Sequence, residues 1–191
     1  MLAGGKCRRF FVVDIWFGLV YTETMKYIQC PNSMLVGDLR KDRLFLAGGI
    51  TNCPDWQKEA ASLLKGTNMV VINPRRKVFD MTVKGEEQIL WERKHLKNAN
   101  HILFWFPKET VCPITLFELG YYLGVFEREG YFGPAIFIGT HPEYTRRHDV
   151  RIQAELCGYG THNPTGYPQY ISNNVPDLVQ RVIDWTKVKY K

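Results

Sequence analysis

Short apolar runs alternate with amphipathic stretches along the chain from residue 44 onward. The runs are apolar on both faces and end at Gly, Asn or Pro, as buried strands do, at 44–47, 69–72, 102–106 and 135–138. Amphipathic helices are predicted between and after them, at 53–64, 85–98, 113–123, 150–156 and 174–189. This alternation predicts an α/β fold with a mainly parallel sheet of about five strands covered on both faces.

The carboxyl ends of the predicted strands are the place to look for a ligand. In open parallel sheets the ligand binds beyond those ends, where the chain leaves each strand for a helix. The relevant segments are 48–55, 73–80, 107–118 and 139–149. In the first of them, Asn52 is a candidate helix cap, followed by Pro54 and Asp55 in the first turn.

Composition is that of an ordinary globular chain of 191 residues, 45% hydrophobic and 23% charged, which fits one domain. Lys and Arg number 25 against 19 Asp and Glu, a formal net charge of +6. The basic residues are scattered rather than grouped in tracts, which disfavours stable nucleic-acid binding. A small phosphorylated molecule would need only two or three of them.

Cysteine and histidine spacing predicts neither disulfides nor a metal site. The five Cys are odd in number without a Cys-x-x-Cys pair, and the five His show no ligand spacing. Free thiols in a reducing cytosol are therefore expected, with a cytoplasmic location and no metal or cofactor.

Residues 1–40 are set apart as an N-terminal extension, and residues 41–191 form the predicted domain. The apolar run at 10–21 is interrupted by Asp14 and is shorter than the ~20 residues that span a bilayer, so no membrane segment is expected. The extension is interpreted as either an extra strand or a loose arm.

Two glutamates are the candidate reactive groups. Glu118 lies early in the helix after the 102–106 strand, where the helix dipole would keep a carboxylate ionised and available as a nucleophile. The alternative is an acid that merely stabilises the helix. Glu92 lies in the 85–98 helix, and with Glu118 could form a nucleophile and acid/base pair. Its alternative is a solvated charge.

Other candidates lie in the strand-to-helix segments. Gly48 and Gly49 would let the backbone approach a ligand, or simply form a turn. Arg75 and Arg76 would grip a phosphate or carboxylate, or pin the loop by pairing with Asp80 or Asp55.

Two further side chains have a functional and a structural interpretation. Trp56 would either stack on a base or cover the core. Cys112, at the start of the Glu118 helix, is a third-choice nucleophile, with a thiol pKa lowered by the helix terminus.

Together these segments resemble the nucleoside 2-deoxyribosyltransferase-like family. The resemblance covers about residues 44–153 and rests on Phe45-Leu-Ala-Gly-Gly-Ile50, Cys53-Pro-Asp-Trp-Gln57, Asn73-Pro-Arg-Arg76, Gln88-Ile-Leu-Trp-Glu92, Phe104-Trp-Phe-Pro107 and Cys112-Pro-Ile-Thr-Leu-Phe-Glu-Leu-Gly120. In the segment before Glu118, relatives often carry Asp and glycines, where this chain has residues 112–115 as Cys-Pro-Ile-Thr.

The resemblance implies a flavodoxin-like, Rossmann-like three-layer sandwich and cleavage or transfer at the N-glycosidic bond of a (deoxy)nucleoside or nucleoside monophosphate. Glu118 takes the place of the nucleophile that forms a covalent glycosyl intermediate, and Glu92 that of the assisting acid, where Asp is usual. The implied substrate-binding residues are Gly48, Gly49, Asp55, Trp56, Asn73, Arg75 and Arg76, the two arginines toward a 5′-phosphate. Relatives often complete the pocket from a neighbouring subunit, which implies a homo-oligomer.

Two other classes of function stay open at this point. The altered 112–115 segment is compatible with a catalytically inactive nucleotide-binding or sensing module, which a Glu118 paired with an arginine would favour. The aromatic N-terminal residues 1–24 are compatible with an interaction protein.

Overall fold

The computed structural model of the chain describes residues 24–77, 85–129, 133–160 and 170–189. Residues 1–23 of the predicted N-terminal extension lie outside these residues, as does Asp80. The elements of the described part are β1 (Lys26–Gln29), a 3-10 helix (Val36–Arg40), β2 (Arg43–Gly48), α1 (Trp56–Leu63), β3 (Val70–Asn73), α2 (Gly85–Lys97), β4 (His101–Phe106), α3 (Pro113–Glu129), β5 (Ala135–Thr140), α4 (Arg147–Leu156) and α5 (Val175–Lys189).

The described strands form one parallel sheet in the order β1-β3-β2-β4-β5. Phe45 in the centre of the sheet is in register with Ile72 of β3 and Ile102 of β4. The predicted α/β fold with a parallel sheet is confirmed. β1, from the segment set apart as an extension, supplies the edge strand beside β3.

Helices cover both faces of the sheet, which makes three layers. One face packs against α2, α3 and α4, with Trp91, Leu119 and Val150 in its core. The other packs against α1 and α5, with Ala60 and Leu178 in its core. Strands that are buried on both faces explain why the apolar runs are continuous rather than alternating.

The connections from β2 and β4 place a crevice at the carboxyl edge of the sheet. The chain leaves β2 for α1 on one face and leaves β4, its neighbour, for α3 on the other face. Adjacent strands whose connections diverge in this way form a topological switch point, which is where such sheets bind ligands.

The start of α1 differs from the sequence prediction. Asp55, not Asn52, is the N-cap, and its carboxylate accepts a hydrogen bond from the Lys58 amide at 3.1 Å. Asn52 has a φ of 57°, in the left-handed region, and forms the turn before the helix. Within the described residues, no helix has both the length and the apolar character needed to cross a bilayer.

Candidate active site

A cavity of about 610 Å³ lies at the carboxyl ends of β2, β3 and β4. Its walls come from the turn after β2, the segments after β3 and β4, and the facing sides of α2 and α3. The size is that of a small-molecule site. Its lining includes Gly48, Gly49, Thr51, Arg76, Gln88, Glu92, Cys112, Thr115 and Glu118.

Gly48 and Gly49 are required by close packing at the cavity wall. A Cβ at Gly48 would lie 2.4 Å from the Trp105 carbonyl oxygen, and one at Gly49 would lie 2.7 Å from the Pro107 ring. Both distances are far shorter than a real contact, so neither position accepts a side chain without movement of its neighbours. The glycine pair therefore brings backbone, rather than side chains, to this part of the cavity.

Glu118 is half-buried in the second turn of α3 and lines the cavity. Burial, and then the nearby Glu92 carboxylate, raise its pKa to about 8. The expectation that the helix dipole keeps Glu118 ionised is wrong, because that effect fades beyond the first turn and desolvation is the larger influence. At neutral pH the Glu118 carboxyl group is therefore mostly protonated.

Glu92 faces the same cavity from α2. Burial raises its pKa, while a hydrogen bond from Gln88 and the charge of Arg76 oppose that rise. The sequence-predicted pair is therefore brought together, and its two members have different surroundings. Gln88 and Arg76 stabilise the Glu92 carboxylate, whereas no group that would stabilise the Glu118 carboxylate is among the causes of its pKa shift.

Gln88 connects the groups around Glu92, and sequence reasoning did not select it. Its amide nitrogen donates to Glu92 Oε1 at 2.6 Å and to the Pro74 carbonyl at 2.9 Å. Its amide oxygen accepts from Arg76 Nε at 2.6 Å and from the Cys30 thiol at 3.1 Å. The i, i+4 spacing of Gln88 and Glu92 on one helix is the signal that could have identified it.

The two adjacent arginines have separate places. Arg75 pins the loop before α1: its Nε donates to Gln57 at 3.0 Å and lies 3.5 Å from Asp55, and its Nη2 donates to the Pro54 carbonyl at 3.0 Å. This is the pairing with Asp55 that the sequence left open. Arg76 lines this cavity, and Arg75 does not.

Trp56 and Asn73 support the cavity wall from behind. Trp56 is buried in the core against α5 and donates from Nε1 to the Gly49 carbonyl at 2.9 Å. Asn73 is buried at the end of β3, donates to the Tyr27 hydroxyl at 2.5 Å and accepts from the Arg75 amide at 2.8 Å. Both side chains fix the loops that carry Gly49 and Arg76.

Cys112 lines the cavity, but its thiol is not activated. Burial raises its pKa to about 12, so the expectation of a lowered pKa is wrong. The residue has a φ of 53° and its carbonyl accepts the first helical hydrogen bond of α3, from the Leu116 amide at 2.9 Å. In the part of the chain that the structure describes, no group of three His, Cys, Asp or Glu is placed to hold a metal ion.

The raised pKa of Glu118 predicts a pH-dependent gain in stability for Glu118→Gln. The folded chain holds this proton more tightly than the unfolded chain, so wild-type stability falls as pH rises from about 4.5 through about 8. We expect the free energy of unfolding of the glutamine variant, relative to wild type, to be about 1–3 kcal/mol higher at about pH 9 than at about pH 5. This range is reduced because the site is partly solvated. Urea unfolding at the two pH values measures it.

Glu127→Gln, exposed on the same helix, is the control for that comparison. Its stability relative to wild type should not change between the two pH values. A Glu118→Gln difference that is the same at both pH values would contradict the raised pKa.

The parallel α/β sheet has a ligand-sized cavity at its switch point, and two half-buried glutamates line that cavity. This arrangement defines a class of protein suited to acid, base and nucleophilic chemistry on a small molecule. Residues 41–129 match the family model described as nucleoside 2-deoxyribosyltransferase like. Every residue that lines the cavity falls within the matched segment. No curated protein matches the chain.

Proposed function

We propose that the protein cleaves or transfers the N-glycosidic bond of a (deoxy)nucleoside or nucleoside monophosphate through a covalent glycosyl–Glu118 intermediate. The observation that carries the proposal is the placement of Glu92 and Glu118 in one cavity, where the Glu92 carboxylate helps to raise the pKa of Glu118. Glycosidic bond cleavage uses such a pair, one carboxylate as nucleophile and one carboxylic acid as proton donor.

The reaction needs one proton shared by the two glutamates. In the productive arrangement Glu92 carries it and Glu118 is ionised, and the positive charge that develops on the sugar favours the Glu118 anion. A Glu118 oxygen bonds to the anomeric carbon as the carbon–nitrogen bond breaks, and the departing base nitrogen takes the Glu92 proton. Water or a second base then attacks the same carbon, with Glu92 as base, and releases Glu118.

The remaining residues prepare the cavity for this step. Gln88 and Arg76 orient Glu92, and Gly48 and Gly49 allow the sugar or base to lie against backbone. Asp55, Trp56, Asn73 and Arg75 hold the loops in position rather than meeting the substrate at the reacting carbon.

The experiment that tests the proposal is a screen for free base. The protein is incubated with ribo- and deoxyribonucleosides and their 5′-monophosphates, with and without a second base, and the products are separated by chromatography. Release of base from at least one substrate supports the proposal, and exchange with the second base marks a transferase. If these compounds bind but no base is released in any arm, the proposed reaction is contradicted, and the result favours a nucleotide-binding module.

The inactive-module alternative has less support in the structure than catalysis. It would be favoured by a Glu118 neutralised by an arginine, and among the described residues no arginine forms an ion pair with Glu118. The causes of its raised pKa are burial and the Glu92 charge, not a cationic partner. A reactive carboxyl group held without a counter-ion is typical of a catalytic site.

We also propose that the chain forms a homo-oligomer through α3. Ile114, Phe117 and Tyr121 recur at helical spacing and are 65%, 79% and 59% exposed. Gly120 and Gly124 on the same helix have open space where a Cβ would lie. A contiguous apolar helix face next to the cavity, with glycines that permit close approach, fits a second copy of the chain.

Replacing Phe117 by glutamate is expected to convert the oligomer to a monomer, because a charge would be buried at the centre of the interface. Light scattering after size-exclusion chromatography measures the mass over a concentration series. Leu156→Glu, at a position 72% exposed on α4, is the control and should keep the wild-type mass. A wild-type monomer at every concentration would contradict this arrangement.

A further inference from the structure

A second cavity, of about 790 Å³, lies beside the first, between α1 and the β1–β3 edge of the sheet. Charged side chains from α1, its C-terminal turn and the segment after β3 line it, namely Asp55, Lys58, Lys65, Arg75, Arg76 and Lys77. We refer to it as the basic cavity. Sequence reasoning selected the two arginines but not the three lysines.

The positive charge of the basic cavity exceeds what its own carboxylate balances. Among the described residues on its walls, Asp55 is the one acid against five cationic side chains, and it already caps α1 and lies 3.5 Å from Arg75. Within the described residues, Lys58, Lys65 and Lys77 have no ion pair with a carboxylate. A concave surface lined by one sign of charge concentrates anions of the opposite sign.

The positions of the lysines on the fold direct their charges to one place. Lys58 and Lys65 are seven residues apart, two helical turns, and therefore share one side of α1 and its C-terminal turn. Lys77 comes from a different element, the segment after β3. Folding thus brings charges from two separate elements to the same cavity.

The basic cavity adjoins the active-site cavity. Ile50, Thr51 and Arg76 line both. Arg76 Nε donates a hydrogen bond to Gln88, which in turn donates a hydrogen bond to Glu92 on the active-site side. A single ligand can therefore place its sugar near the glutamates and an anionic group among the lysines.

We propose that the basic cavity binds a chain of two or three phosphates, and that these belong to a nucleoside di- or triphosphate whose sugar lies in the active-site cavity. The assignment of these phosphates to a nucleoside substrate rests on the proposed function, whereas phosphate binding by the basic cavity does not. One phosphomonoester carries about −1.5 to −2 charges at pH 7, which would meet only part of the cationic cluster. A phosphate chain suits both the charge and the volume of the basic cavity.

Calorimetry with inorganic tripolyphosphate tests the site without requiring turnover. Titrations at fixed ionic strength use the full chain carrying Glu118→Gln, alone and combined with Lys58→Gln and Lys65→Gln. We expect tripolyphosphate to bind more tightly than inorganic phosphate, and the two lysine substitutions to weaken it by about tenfold or more. The control combines Glu118→Gln with Lys94→Gln and Lys97→Gln, exposed on α2, which remove the same charge elsewhere.

The outcomes separate the site from the reaction. If the control pair of lysine substitutions weakens tripolyphosphate binding as much as the basic-cavity pair does, or if tripolyphosphate does not bind at all, the basic cavity is not a phosphate site. Competition between tripolyphosphate and a deoxynucleoside triphosphate, but not a deoxynucleoside, is expected. Simultaneous binding of tripolyphosphate and the triphosphate would overturn the assignment of the phosphates to the substrate. If tripolyphosphate binds as expected but the wild type releases no base, the proposed reaction fails while the site stands.

Discussion

Base release by the Glu118→Gln variant is expected to be slower than wild type by about three orders of magnitude or more. The amide keeps the shape of the carboxyl group but cannot form the bond to the anomeric carbon, so the covalent step is lost. The initial rate of free-base formation, on the best substrate from the screen and at about neutral pH, measures the effect. Substrate binding should persist, since the neutral amide resembles the protonated carboxyl group that Glu118 has at neutral pH.

Glu127→Gln is the matched control for this variant. It lies nine residues along the same helix, is exposed, and should release base at the wild-type rate. Release by Glu118→Gln at a rate close to wild type would contradict the role of Glu118, whatever the other variants do.

The second large effect is expected for Glu92→Gln, with a loss of about 10²–10⁴ in rate, the usual contribution of a general acid. The wild-type kcat/KM should fall above about pH 8, where Glu118 loses the last proton of the pair. In Glu92→Gln the fall of kcat/KM above about pH 8 should vanish, because the variant has no proton shared between two glutamates. Instead the rate should rise with pH through the pKa of Glu118, which drops below about 8 once the Glu92 charge is removed.

A change of leaving group distinguishes a proton donor from a residue that only shapes the cavity. An N7-alkylated purine nucleoside has a cationic base that departs without a proton, so in the first turnover Glu92→Gln should release it nearly as fast as wild type. Glu86→Gln, exposed on the same helix, should behave as wild type with both substrates. An equal loss on both substrates in Glu92→Gln would contradict the acid role.

Most of the fold follows from the pattern of apolar residues. The continuous runs around Leu46 and Leu103 predict strands buried on both faces, and the structure places these strands next to each other in a parallel sheet. The edge strand was harder to predict, because the four residues 26–29 do not form a continuous apolar run. Pairing with β3 gives that strand its place in the sheet, and pairing between distant residues is not visible in local sequence.

The candidate site could be predicted in part. Strand ends and helix starts bring Glu92 and Glu118 to one cavity, as the sequence indicates. Arg75 and Arg76, adjacent in sequence, have different roles because one is bonded within the loop before α1 and the other lines the cavity. From sequence alone, Lys58 and Lys65 look like part of an ordinary solvated helix face. Their place in a cavity depends on the neighbouring edge of the sheet.

The protonation state of Glu118 could not be predicted at all. Its position in the helix suggested an ionised carboxylate, whereas its pKa depends on how much of the side chain the surrounding elements remove from water. Burial and the carboxylate of another helix are tertiary effects. The proposed sharing of one proton between the two glutamates therefore depends on the structure rather than on the motif.

The central claim, a covalent bond between the sugar and Glu118, is tested most directly by mass spectrometry of the quenched reaction. The wild type is mixed with its substrate, or with a 2′-fluorinated analogue that slows release of the intermediate, then stopped with acid and digested. We predict a mass increase equal to the sugar on the peptide that contains Glu118, and none on that peptide in Glu118→Gln. Base release accompanied by the sugar mass on any other residue would contradict the claim.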